Sequence, residues 1–213
     1  MSDLYNEGIT TTAGNIEPKY DVAAVKEKDK FFQEFREFDY GIDIESNIIL
    51  VQDEISQGMI FDTISKIRLL RKINPQLTSV NILLNSPGGD VIETLGLIDF
   101  IRTIKNDEGI STNIICRGSA MSAAALLLAC GTGLRAASKH SKIMVHQLSS
   151  FAAGKLSDLK SNAKFAEQLE DDCNNIMAEC TKKDKEFWKE NQRTDYFLNA
   201  EEALELGIID KII

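Results

Sequence analysis

Histidine and proline are scarce in this chain, two and three residues out of 213. With only His140 and His146 available, few histidine-based metal centres can be built. The four cysteines, Cys116, Cys130, Cys173 and Cys180, contain no C-x-x-C pair to supply another. The thiols therefore read as reduced, small apolar packing residues of a reducing compartment. Basic residues are also in deficit, with 24 Lys and Arg against 33 Asp and Glu and a net charge of −9. That balance argues against a nucleic-acid partner and an anionic membrane surface, since phosphate binding runs on basic patches. Long apolar runs are lacking too. The longest, around Ala123 to Cys130, is far shorter than the roughly 20 residues of a membrane span. The opening MSDLYNEGITTTAGNIEPKYD has neither the basic nor the apolar region of a secretory signal. The expectation is a soluble, cytoplasmic chain that uses no metal.

What is present is ordinary for a globular protein: 43% apolar and 27% charged residues. Residues 1–37 are polar, run into the charged VKEKDKFFQEFREF, and read as a mobile N-terminal segment with a short helix. Residues 38–213 read as a single domain. NIILVQDEI (47–55), SVNILLNSPGGD (79–90), TNIICRG (112–118) and SKIMVHQL (141–148) carry strand patterns. IFDTISKIRLLRKI (60–73) and VIETLGLIDFIRTIK (91–105) have apolar residues at helical spacing. SAMSAAALLLACG reads as a buried helix, and 156–188 as one long helix. Asn199 and Glu202 form a capping box for a last short helix that Gly207 ends. Strands alternating with helices predict an α/β fold with a mainly parallel sheet.

Two places can carry chemistry. In NSPGGD a Gly-Gly turn between strand and helix exposes backbone N–H groups suited to an anion, although a plain tight turn capped by Asp90 fits equally well. Neither G-x-G-x-x-G nor a Walker lysine accompanies it, which disfavours a nucleotide cofactor. In GSAMSAAALLLACG, Ser119 and Ser122 stand before an apolar helix, where either can be a cap, a packing residue or a nucleophile beside free N–H groups. A serine nucleophile needs a base and an acid that orients the base. His140 sits in the polar ASKHSK and reads as solvated. His146 lies in an apolar strand, where a satisfied core residue and a base are both open readings. The 33 acidic residues leave the third member unselected.

The ordered motifs NSPGGD, GSAMSA, IMVHQ and TDYFLNAEEALELGIIDKI resemble ClpP, the proteolytic subunit family of ATP-dependent Clp proteases. The likeness runs from about Phe38 to Ile213. It implies a ClpP/crotonase-type fold with stacked sheets and a long handle helix, here about 156–188. It implies a serine endopeptidase whose nucleophile is Ser122 rather than Ser119, whose base is His146 and whose orienting acid is Asp195. The oxyanion donors would be the backbone N–H groups of Gly88 and Ala123. It also implies two stacked heptameric rings of this chain, enclosing a chamber that degrades unfolded polypeptides. ATP would be used by a partner Clp-type ATPase and not by this subunit.

The chain departs from the family pattern in places. The family's A-S-M-G reads Met121-Ser122-Ala123-Ala124, and its proline after H-Q is Leu148. The glycine-rich substrate strand reads SSFAAG, the aromatic docking strand reads VNILL, and an acid–arginine pair reads Arg193-Thr194. Two other readings stand beside the peptidase: a non-catalytic ClpP-like subunit of a mixed ring, and a crotonase-type acyl-CoA enzyme.

Overall fold

The centre of the structure is three parallel strands, β2 (Ile48–Gln52), β3 (Ser79–Ser86) and β4 (Ser111–Met121). Their inward positions carry branched or small side chains at a period of two. Ile49 and Val51, then Val80, Ile82 and Leu84, then Ile114, Cys116 and Ala120 are fully buried. The computed structural model describes residues 39–149 and 153–213. The chain divides into two units, Met1–Gly41 and Ile42–Ile213, and the second is the one described below. The expected mobile segment 1–37 lies outside the described residues, as does half of the SSFAAG substrate strand, at 150–152.

Crossover helices α1 (Gln57–Ile73) and α2 (Val91–Glu108) connect the three strands, as parallel pairing requires. Helix α2 turns Leu97, Ile98, Ile101 and Ile104 to the core at helical spacing. At the margins, β1 (Ile42–Asp43) pairs antiparallel with β2, while β5 (Arg135–Ala137) and β8 (Lys211–Ile212) extend the parallel sheet beyond β4. Strand β4 is long enough to serve two neighbours. Its Ile114–Cys116 part pairs with β5 and its Ser119–Met121 part with β6 (Lys142–Val145). Antiparallel β7 (Tyr196–Leu198) follows on β6. The eight strands of the described residues thus form one branched sheet of a mixed α/β fold. Among the described residues no helix is long and apolar enough to cross a membrane.

Two expectations need correction. The apolar helix does not start at Ser119. Pairing with β6 keeps the chain extended through Met121, so helix α3 runs only from Ala123 to Ala129. All seven of its residues are buried. Nor is 156–188 a single helix. Helix α4 (Leu156–Cys180) stops, and α5 (Lys185–Asn191) starts anew after Asp184, whose carboxylate accepts from the Phe187 N–H at 2.8 Å. The break turns Trp188 into the core, fully buried, with its indole N–H donating to Thr181 Oγ1 at 2.9 Å. A continuous helix would have left that ring on a largely solvated rod, so burial of a large aromatic outweighs the lost helical hydrogen bonds. The capping box of Asn199 with Glu202 forms as expected at the start of α6 (Ala200–Leu206), and Gly207 ends it in the left-handed conformation.

Candidate active site

Ser122 occupies the single residue between the end of β4 and the start of α3. Its N–H donates to Met144 O on β6 at 2.8 Å, and its carbonyl accepts from Ala125 N–H at 2.9 Å. The chain must turn from strand to helix within this one residue, which takes Ser122 to φ 55°, ψ −127°. A non-glycine residue there stores on the order of 1–3 kcal/mol of strain, a cost concentrated at functional sites. Packing is tight enough that the neighbouring turn tolerates no side chain. A Cβ on Gly88 (φ 98°) would stand 2.5 Å from Met121 O and 2.7 Å from Ser122 Cβ. Gly88 is therefore glycine for both space and backbone.

His146 follows β6 directly. Because Met144 is paired with Met121, the imidazole arrives beside the serine, and His146 Nε2 lies 2.8 Å from Ser122 Oγ. The other histidine, His140, is exposed, as its polar surroundings predict. Ser119 is held elsewhere: its N–H and hydroxyl both donate to Asn85 Oδ1, at 2.9 and 3.3 Å. Position before an apolar helix leaves the two serines equivalent, the resemblance favours Ser122, and in the structure Ser122 is the one that meets the imidazole.

Asp195 is exposed and immediately precedes β7. The antiparallel register pairs Val145 with Tyr196, so one step further on brings Asp195 opposite His146. Among the described residues no hydrogen bond joins its carboxylate to the imidazole. Of the two N–H groups considered for an oxyanion, that of Ala123 is the first of a helix and has no acceptor within it. The N–H of Gly88 donates to Ser86 Oγ at 3.1 Å. Ser86, fully buried, donates in turn to Asp53 O at 2.5 Å. Sequence reading missed Ser86, although the period-two burial of Val80, Ile82 and Leu84 already points it inward.

Beside the Ser–His pair opens a cleft of about 540 Å³. Its lining is largely apolar, from Leu126 of α3, Val145, and Phe165, Leu169 and Met177 of α4, and includes Asp90 and Glu170. Gln147 ties the two walls together: its side-chain amide donates to Glu170 at 3.2 Å and its N–H to Gln192 O at 2.7 Å. Cys173 also lines the cleft, but burial pushes its thiol up to about 11, so it stays protonated and is a poor nucleophile.

A seryl hydroxyl on an imidazole, at a strained turn that opens a helix and next to an apolar cleft, is an arrangement of groups that nucleophilic chemistry can use. The sequence profile of the Clp protease family matches residues 33–213, and the chain belongs to that family. It is 35% identical over 171 residues to ATP-dependent Clp protease proteolytic subunit 2 of Chlamydia trachomatis serovar D, spanning 80% of this chain and 82% of that one. Subunit 2 of Chlamydia muridarum is 34% identical and subunit 1 of Chlamydia felis 33%, over the same share of each chain.

Proposed function

We propose that this chain is a serine endopeptidase subunit that hydrolyses unfolded polypeptide inside an oligomeric ring, fed by an ATP-dependent unfoldase. The observation that carries the reading is the 2.8 Å contact between Ser122 Oγ and His146 Nε2. Ser122 Oγ attacks a peptide carbonyl and gives its proton to His146 Nε2. The imidazolium then passes that proton to the leaving amine. Water, deprotonated by the same histidine, releases the acyl group. Asp195, next to the residue paired with Val145, holds the imidazole tautomer once its carboxylate turns onto the ring. The Ala123 N–H receives the developing oxyanion, and Gly88 N–H joins it by letting go of Ser86 Oγ. No metal or cofactor in this chain enters these steps. The exposed part of α4 would pack rings against each other as the handle.

Fluorophosphonate labelling with peptide mapping tests the assignment. Label on Ser122, lost in Ser122→Ala together with peptide hydrolysis, is the expected result. Absence of label under conditions that modify an active Clp peptidase would exclude the mechanism. That outcome favours the second reading, a non-catalytic subunit of a mixed ring. The unmade Asp195–His146 bond and the engagement of the Gly88 N–H are what support it.

A further inference from the structure

Away from the cleft, the C-termini of α3 and α4 bring two thiols together. Cys130, the residue that caps α3, is 4% exposed. Cys180, the last residue of α4, is half-buried. Their Sγ atoms lie 3.2 Å apart. A disulfide bond is about 2.05 Å long, so roughly 1 Å of side-chain motion would close one. A guanidinium is aimed at the outer sulfur: Arg102 Nη2 of α2 donates to Cys180 Sγ at 3.3 Å while also reaching Glu179 at 3.4 Å. Simple packing of two small apolar residues needs no cation on the sulfur.

We propose that Cys130 and Cys180 are a redox-active dithiol that a hydroperoxide converts to an intramolecular disulfide, with Cys180 as the attacking and Cys130 as the resolving thiol. The Sγ–Sγ hydrogen bond with Cys130, together with Arg102, pulls the Cys180 thiol down to about 6, whereas the same bond and burial push Cys130 up. Cys116 and Cys173 are both pushed up to about 11 by burial. Cys180, which carries the Arg102 guanidinium on its sulfur, is therefore the thiol set up to ionise, and the thiolate is the reactive form. With hydrogen peroxide, its sulfur attacks one oxygen and breaks the O–O bond, giving a sulfenic acid and hydroxide, which takes up a proton to become water. Cys130 Sγ then attacks Cys180 Sγ, expelling the sulfenic hydroxyl, which leaves as a second water with the Cys130 proton. The dithiol loses two electrons and the peroxide gains them. The bond would tie the helix that follows Ser122 to the helix whose Leu169 and Met177 line the cleft.

This inference is independent of whether the chain hydrolyses peptides. The test is to treat the full-length assembled protein with hydrogen peroxide, alkylate the remaining thiols and map the peptides by mass spectrometry. A Cys130–Cys180 linked peptide is expected, with Cys116 and Cys173 still alkylated. The oxidised form should melt roughly 5–10 °C higher, as expected for a cross-link closing a loop of about 50 residues. In Cys130→Ser the link cannot form, and dimedone should trap a sulfenic acid on Cys180. Arg102→Gln should slow linking several-fold. Four alkylatable thiols after peroxide, or linkage only between chains or through other cysteines, overturns the proposal. The main experiment uses the wild-type protein, so its outcome stands even where a variant fails to fold.

Discussion

Replacing Ser122 in two ways tests whether its backbone is strained for function. Ser122→Ala and Ser122→Gly both remove the hydroxyl and its 2.8 Å bond to His146, so both lose the same hydrogen bond and, on the proposed function, the same activity. They differ in the backbone. At φ 55°, ψ −127° alanine keeps the strain that serine bears, roughly 1–3 kcal/mol, whereas glycine sheds it. Glycine brings its own entropic cost of roughly 0.5–1 kcal/mol. The difference left is about 1 kcal/mol in favour of Ser122→Gly. For a chain of this size that corresponds to a melting temperature roughly 2–4 °C above that of Ser122→Ala. Differential scanning fluorimetry of the two inactive variants, at one protomer concentration, reads it directly. Equal melting temperatures, or a lower one for the glycine variant, would refute the strained-turn argument while leaving the serine's chemical role untouched.

Other expectations follow from the same geometry. Gly88→Ala puts a methyl into Met121 O and Ser122 Cβ, so it should cut kcat/KM by about 10²-fold or more through displacement of the nucleophile, with active-site titration falling in step. Asp195→Asn should lower kcat by on the order of 10²–10⁴ if its carboxylate orients the imidazole, and an unchanged kcat would remove Asp195 from the mechanism. Arg135 donates to the carbonyls ending three helices, Ala129 O, Cys180 O and Gly207 O, at 3.0, 2.6 and 2.9 Å, and also binds Asp210. Arg135→Ala should therefore destabilise the fold by roughly 2–4 kcal/mol in urea titration, chiefly by orphaning those acceptors. The hydrogen bond from Arg135 holds the Asp210 carboxyl below its ordinary 3.8. A depressed carboxyl contributes stability that is full above its unfolded pKa and is lost as pH falls through the folded one. The wild type should thus lose stability below about pH 4 more steeply than Arg135→Ala.

Much of the fold was legible in the chain because its signals are local. Val80, Ile82 and Leu84 alternate because a buried strand presents every second side chain inward, and Leu97, Ile98, Ile101 and Ile104 recur because one face of α2 is buried. Asn199, Glu202 and Gly207 announce the ends of α6 by their own hydrogen bonding and backbone preference. Four ordered motifs were enough to place the chain beside the Clp peptidases. Local signals misled where distant partners decide. Strand β4 outlasts its own pattern because β6 pairs with it, and the apolar periodicity through 156–188 hides a break that exists to bury Trp188.

Sequence thus supplied the residue types of the candidate site, with His146 apart from a solvated His140, two serines before an apolar helix, and motifs whose likeness to the family favours Ser122. Only tertiary structure could bring His146 to Ser122 and send Ser119 to Asn85, because those choices depend on which strands become neighbours. Tertiary structure likewise gave Ser86 a claim on the Gly88 N–H and left Asp195 opposite His146 without a bond. It also brought Cys130 and Cys180, fifty residues apart, to 3.2 Å. Each is a contact between segments remote in the chain, and packing, not local preference, determines such contacts.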